Sequence, residues 1–372
     1  MPQPPSERYE DDLEDVPAPG PVHYAEQSLL GALLLEPHRL SDISDLESGH
    51  FSNHAHGALW QAMRDVPAPE PDAHRSSPAW LNAVLDAARP LAPGLTASYL
   101  HALIQVCPWP EHAPAYGRMV RADHARRTVL VHAERLVQTA TDTALPNRVA
   151  TILNRADTLA RFLDTLAGRF ASHPGSLPRT VVPAPRPEHP DAEAVEEEQH
   201  LLAAATAHPA DLDTMRWLQP GDFTLPLHAA VWQSLNALVR NGDPVDAVTL
   251  LWEAQHRGLL DDGLDPQDLI ALVTSPAGGS PAHWGERVLQ RALLDRAAEV
   301  GTRIAAYARD PANTPHQLIT GSRRALADLA ALRTRWTHSS SPPPGPRAPR
   351  APAVSRAGPP PRTTAPTTRA LH

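Results

Sequence analysis

The stretch Ala25–Pro37, AEQSLLGALLLEP, returns as Glu197–Pro209, EEQHLLAAATAHP, 172 positions further on. At that offset Glu26 meets Glu198, and the alignment runs without a gap to Met63 against Leu235. Fourteen of the 38 pairs are identical: Glu26, Gln27, Leu29, Leu30, Ala32, Pro37, Leu40, Leu46, Gly49, Phe51, His56, Ala58, Trp60 and Gln61, each with its like 172 places on. Such density over an ungapped run marks an internal duplication, and a repeat sets the frame for every later reading.

Each copy opens with helical periodicity. Leu29, Leu30, Leu33 and Leu34 form one apolar stripe after Glu26, and Pro37 and Pro209 punctuate its end in the two copies. Gly31 becomes Ala203, which predicts a small residue at a close helix crossing. A second helix is expected around Leu40 and Ile43, and a third from about His54 to Asp65.

Each copy also closes in the same way. Ile152, Ala156, Leu159, Leu163, Leu166 and Phe170 repeat as Leu318, Ser322, Ala325, Leu329, Leu332 and Trp336, both at spacings of 4, 3, 4, 3 and 4. This two-in-seven seam belongs to a helix packed lengthwise on another helix. A long proline-free segment precedes each seam, about 116–140 and 283–309, with connectors containing Pro146 and Pro315 between. The fold class that follows is all-α: two tandem helical globules, each ending in an antiparallel helical hairpin, with disordered Pro-rich arms and linker. The expected divisions are an acidic, Pro-rich arm over 1–22, copy one over 23–170, a Pro-rich linker over 171–192, copy two over 193–336 and a basic Pro-rich tail over 337–372.

Composition removes whole classes of function. All 33 basic residues are arginine, so no GxxxxGK[ST] phosphate loop exists in these 372 residues, and no lysine Schiff base is available. Cys107 stands alone, which excludes an intrachain disulfide and a multi-cysteine zinc site and is read as a small buried residue in a reducing compartment. No stretch approaches the ~20 apolar residues of a membrane span, and the start has no basic-then-apolar leader. A cytoplasmic protein is expected, with no membrane partner and no cofactor. Net charge is −9, yet residues 7–15, ERYEDDLED, hold six acids while Arg347, Arg350, Arg356, Arg362 and Arg369 leave the tail basic. Those five arginines are the candidate contacts to nucleic acid.

The string Ala25–Pro37 resembles the start of the N-terminal domain of the DnaB-like bacterial replicative helicases. Phe51, His56 and Leu59-Trp60-Gln61-Ala62-Met63 resemble that family's F…H…(F/W)xAM segment, Tyr99-Leu100-His101-Ala102-Leu103 its YLxxL, and Tyr116-Gly117-Arg118-Met119-Val120 its YAxxV. Copy two supplies Asn241–Leu250 and Gly258-Leu259-Leu260, similar to GxPIDxxTL…GxL, where copy one carries PAPEPDAHRSSPAWLNAVL. The resemblance implies a helical globule with a projecting hairpin that pairs with a neighbour's hairpin, offers a surface to primase and hydrolyses no ATP. It implies a bacterial protein, with nucleoid association open, whose helicase label would come by inheritance, since the RecA-like motor is not expected here.

Other sites are weighed against plainer roles. His50, His54 and His56 are the densest histidines, but only His56 recurs, as His228, so no metal site is expected. Asp261-Asp262 and Glu196-Glu197-Glu198 read as solvated acids rather than acid–base catalysts. Arg118, Arg121, Arg126, Arg127 and Arg135 on one hairpin, and Arg323, Arg324, Arg333 and Arg335 on the other, read as solvated faces, because acids are interspersed and no aromatics stand among them for base stacking. The leading expectation is a non-catalytic adaptor or modulator of replication, contacting replicative helicase or primase, with its hairpins paired as an intramolecular pseudo-dimer or between chains as a homo-oligomer. A collar subunit of an active helicase assembly and a nucleic-acid-binding regulator using the tail are the alternatives.

Overall fold

The computed structural model describes residues 20–170, 177–182, 191–260 and 265–340. Among these the chain is helical throughout, with turns and no strand. Copy one holds α1 (Pro21–Leu35), α2 (His54–Asp65), α3 (Pro71–Ser76), α4 (Ala79–Ala88), α5 (Ala97–Val106), α6 (Ala113–Thr141) and α7 (Arg148–Arg169). Copy two holds α8 (Ala192–Ala207), α9 (Pro226–Asn241), α10 (Ala247–His256), α11 (Pro266–Thr274), α12 (Pro281–Arg309) and α13 (Pro315–Ser339). The second helix expected near Leu40 is a 3-10 segment, Pro37–Ile43, because Pro37 sets the turn immediately after α1 and the run is too short to settle into α-geometry. α1 itself begins at Pro21, with the proline in the first turn where its missing N–H costs nothing.

Local chemistry places the ends. Asn53, Thr96, Asp191, Ser280 and Thr314 accept from backbone N–H groups in the first turns of α2, α5, α8, α12 and α13. Thr314 and Gln317 complete a reciprocal capping box. α9 stops at Gly242, whose φ of 76° is the left-handed turn glycine adopts freely.

α1 is buried around most of its circumference, with Leu29, Leu30, Leu33 and Leu34 all at or below 1% exposure, since α5 and α6 both pack against it. A Cβ at Gly31 would lie 2.1 Å from the Leu103 carbonyl oxygen, so the missing side chain is what allows α1 and α5 to cross so closely. The globule of copy one has its own core around Leu30, Leu59, Trp60 and Leu103, and that of copy two around Leu201, Trp232, Leu235 and Leu289. Phe51 packs on Trp60 at 5.9 Å and 37°, and Phe223 on Trp232 at 5.8 Å and 38°, the same arrangement 172 residues apart.

A third core belongs to neither copy alone. Val129, Ala133, Leu136, Ile152, Leu159 and Leu163 of α6 and α7 share one apolar cluster with Leu293, Ala297, Val300, Ile304 and Leu329 of α12 and α13. The two hairpins therefore form a four-helix bundle within one chain. α6 and α12 run antiparallel along their C-terminal halves, with Arg126 at the middle of α6 donating to the carbonyls of Asp310 and Asn313 beyond the end of α12, and Gly301 set against Ala133 and Val137 further along. The globules consequently sit at opposite ends of the bundle.

The connecting stretch corrects the expectation of a disordered linker. Its described part, residues 177–182, is bonded to the α12–α13 turn: Asn313 accepts from the Arg179 N–H (3.0 Å) and donates to Thr180 Oγ1 (2.7 Å), while Gln317 donates to the Leu177 carbonyl (3.1 Å). Pro178 fills the space that a side chain on Gly321 would take. Proline composition removes helix, but it does not prevent a short extended segment from docking where its carbonyls and N–H groups find buried partners.

Candidate protein-interaction interface

The bundle is the site toward which the sequence pointed, and its seam residues are distributed unevenly. Ile152, Leu159, Leu163 and Leu166 are buried in the shared core, with Ala156 and Phe170 packed partly buried against it. Leu318, Ala325 and Leu329 lie in the same core, and Ser322 is fully buried with its hydroxyl unpartnered. Leu332 instead joins the core of the copy-two globule, and Trp336 touches both. One seam thus serves two jobs, closing the bundle and seating its own globule.

Polar contacts across the bundle set its register. Arg309 pairs with Glu134 (2.6 Å), Arg333 with Asp157 (2.5 Å) and Arg323 with Asp164. All six side chains are at least 44% exposed, so each pair contributes only about 0–1 kcal/mol, and the apolar core carries the stability. Arg126 differs in kind: its guanidinium donates to the backbone carbonyls of Asp310, which also accepts the Asn313 N–H, and of Asn313 in the turn after α12, where a cation complements the dipole of that helix.

The expectation of solvated arginine faces holds for Arg118, Arg135, Arg323, Arg324 and Arg333, which are exposed, and is corrected for Arg121, Arg126, Arg127 and Arg335. Arg121 pairs with Asp45, Arg127 with Asp123 (2.7 Å) and with the His50 carbonyl (2.7 Å), and Arg335 grips both oxygens of buried Asp222. Only Arg118, Arg135 and Arg324 of the nine are exposed and without an ion-pair partner among the described residues. Single-helix reading missed this because, apart from Asp123 one turn before Arg127, the acids that meet these arginines come from other segments. Arg347, Arg350, Arg356, Arg362 and Arg369, the acidic run 7–15 and Asp261-Asp262 lie outside the described residues.

A second correction concerns the glutamates. Glu197 and Glu198 are buried at 5% and 2% exposure rather than solvated. Glu197 receives Arg287 (2.7 Å) and Arg291 (2.9 Å) from α12. Glu198 bonds His228 Nδ1 at 2.7 Å and accepts the Thr224 N–H. Copy one has the same buried constellation, Glu26 with His56 Nδ1 at 2.6 Å and with the Ser52 N–H at 2.5 Å, and His56 Nε2 continues to Tyr99 Oη at 2.7 Å. Burial pushes the Glu26 carboxyl up, but the bonds from His56 and Ser52 outweigh it and hold the group below its ordinary value. This is a structural tie between α1 and α2, not a catalytic pair. Its signal was present in the repeat, since Glu26 and His56 are both among the identities.

His50, His54 and His56 do not converge. His54 is exposed, His56 belongs to Glu26, and His50 packs on His124 with ring centroids 4.4 Å apart and the planes tilted by 44°. No group of three metal-ligating side chains occurs among the described residues. Cys107 is half-buried against Gly31, and burial pushes its thiol up, away from the reactive thiolate. None of the described helices is long and apolar enough to cross a membrane.

Parts of the chain are similar to known proteins. Replicative DNA helicase DnaB of Mycobacterium leprae (strain TN) is 32% identical over 119 residues, 32% of this chain and 20% of that protein. The protein of the same name from Leifsonia xyli subsp. xyli (strain CTCB07) is 27% identical over 116 residues, 31% of this chain and 25% of that protein. The chain thus spans a quarter or less of the length of these relatives. A crystal structure of the N-terminal domain of DnaB helicase from Mycobacterium tuberculosis matches 38% of this chain and 99% of its own, at 29% identity and a TM-score of 0.33. The family model for the DnaB-like helicase N terminal domain matches residues 21–122 and again 191–283, together more than half of the chain, and the chain belongs to that family.

Proposed function

We propose that these 372 residues form a non-catalytic adaptor or modulator of DNA replication that works through protein contacts, with replicative helicase or primase as the partner. The observation that carries this reading is the apolar core shared by the two hairpins. A hairpin whose seam is filled from within its own chain has no seam left to lend, so the two globules become the surfaces that partners meet. Support for the non-catalytic part comes from the sequence, which has no lysine with which to build a phosphate loop.

Co-purification of the intact chain with helicase and primase tests the partner. Capture of either supports the reading, and capture of neither sinks it. Mass in high salt tests the pairing: a 40.2 kDa monomer is expected, whereas a higher oligomer that survives high salt would mean that hairpins exchange between chains. No ATP turnover is expected from the purified chain, and measurable turnover that follows the protein through purification would overturn the non-catalytic assignment.

A further inference from the structure

The globule of copy two carries a groove. It encloses about 540 Å³ between the turn after α8 and the exposed side of α9, with a floor of Leu218, Trp232 and Val239 and a rim that includes Arg216, Arg240 and Arg257. Arg216 and Arg257 each have one carboxylate neighbour, Asp213 at 3.5 Å and Glu253 at 2.8 Å. Arg240 is exposed and donates only to the Asn236 carbonyl of its own helix. In copy one the repeat places Ser44 where Arg216 stands and, one residue past the ungapped run, Arg64 where Asn236 stands, while α2 ends at Asp65, before any counterpart of Arg240. Arg64 folds back to the Leu46 carbonyl (3.3 Å), over the position that corresponds to the groove floor. The shorter Asn236 bonds back to the Trp232 carbonyl and leaves that space open.

We propose that this groove is a docking site for an acidic peptide with an apolar anchor, and that its occupant is the stretch Glu7–Asp15 of a second copy of the chain. Charge complementarity identifies the segment, since six of its nine residues are acids, and Tyr9 and Leu13 supply anchors for the floor. The geometry identifies the source. From Gly20 back to Leu13 the chain reaches at most about 25 Å when extended. The globules sit at opposite ends of a bundle whose long helices, α6 and α12, have 29 residues each, about 43 Å. A chain therefore meets another chain's groove before its own. Nucleic acid fits less well, because the floor is apolar and a phosphate backbone brings nothing to match the Tyr9 and Leu13 anchors.

The test uses the full chain and a labelled synthetic peptide of residues 6–16. Saturable binding is expected, weakened at least about tenfold on raising salt from 0.05 to 0.3 M. R216A/R240A, both surface changes, should weaken it by a similar factor with unchanged helicity. Asn236→Arg is the sharper variant. It adds a positive charge but fills the groove as Arg64 does in copy one, so occlusion predicts weaker binding and diffuse attraction predicts stronger. Sedimentation at rising concentration should show a low-salt association that is lost on deleting residues 1–19. Failure of the peptide to bind, stronger binding to Asn236→Arg, self-association unchanged by the deletion, or displacement of the peptide by an equimolar DNA oligonucleotide would each overturn the proposal.

Discussion

Arg335 and Asp222 form a two-pronged ion pair that ties the last helix of copy two to the front of its own globule, and at the matching places of copy one stand Arg169 and His50. Asp222 also accepts the Gln219 N–H (2.8 Å), as His50 Nδ1 accepts the Glu47 N–H (3.1 Å). The duplication kept the small turn and lost the charge. His50 is left facing Arg169 and Arg121, with Glu47 and Asp45 offsetting them in part.

Restoring the acid should therefore strengthen copy one. His50→Asp keeps an acceptor for the Glu47 N–H and offers Arg169 a carboxylate, and a gain of about 1 kcal/mol is expected at neutral pH, the scale of a half-buried ion pair. Denaturant unfolding measures it. A loss of stability would show that Arg169 cannot reach the position Arg335 reaches.

The His50–His124 contact predicts how stability depends on pH. Burial, then the neighbouring His50 and Arg127, hold His124 down to about 4, and burial lowers His50 as well. A histidine depressed in the folded state takes up its proton more readily unfolded, so stability is full above about pH 6.5 and falls as pH drops toward 4. His124 alone accounts for up to about 3 kcal/mol of that fall. His124→Phe keeps a ring against His50 and removes the proton site. Its unfolding midpoint should vary less between pH 6.5 and 4.5 than that of the unaltered chain, and an identical profile would clear His124 of the effect.

Cutting the buried acid of α1 has a larger predicted cost. Glu26→Ala leaves the Ser52 N–H and His56 Nδ1 without a partner in a closed core, and about 3–5 kcal/mol should be lost. Glu26→Gln keeps an acceptor and should lose about 1–3 kcal/mol. Calorimetry on both variants orders them, and equal losses would mean that the charge carries the whole effect and a neutral acceptor contributes nothing.

Much of this architecture was legible in one dimension, and the reasons differ by residue. Leu29, Leu30, Leu33, Leu159 and Leu163 announce themselves because apolar periodicity reports burial directly. Glu197 and Arg335 do not, since an acid beside two others, or an arginine on a charged helix, looks the same whether it faces water or a partner folded in from 90 to 113 residues away. The linker misled for a related reason: Pro178 and Thr180 have no intrinsic order, and their places come from Asn313 and Gly321, which no local pattern connects to them.

Gly301 offers the most direct probe of the bundle. A Cβ there would lie 2.7 Å from Val137 Cγ2 and 2.9 Å from the Ala133 carbonyl oxygen, so Gly301→Ala must push α12 off α6. A loss of about 1–3 kcal/mol is expected, typical of overpacking, and a bulkier Gly301→Val should do more. Thermal unfolding should then separate into two steps as the copies uncouple, and a single sharp transition at the original temperature would show that the crossing yields easily.

Because Val129, Ile152 and Leu163 share their burial with Val300, Ile304 and Leu329, the first half of the polypeptide cannot complete its interior when it leaves the ribosome. Its greasy stripe must wait, uncovered, until more than a hundred further residues have been translated. During that interval the nascent chain is at its most vulnerable to chaperones, proteases and aggregation. Synthesis order has therefore made the carboxyl-terminal twin a delayed, covalently attached escort for the amino-terminal one.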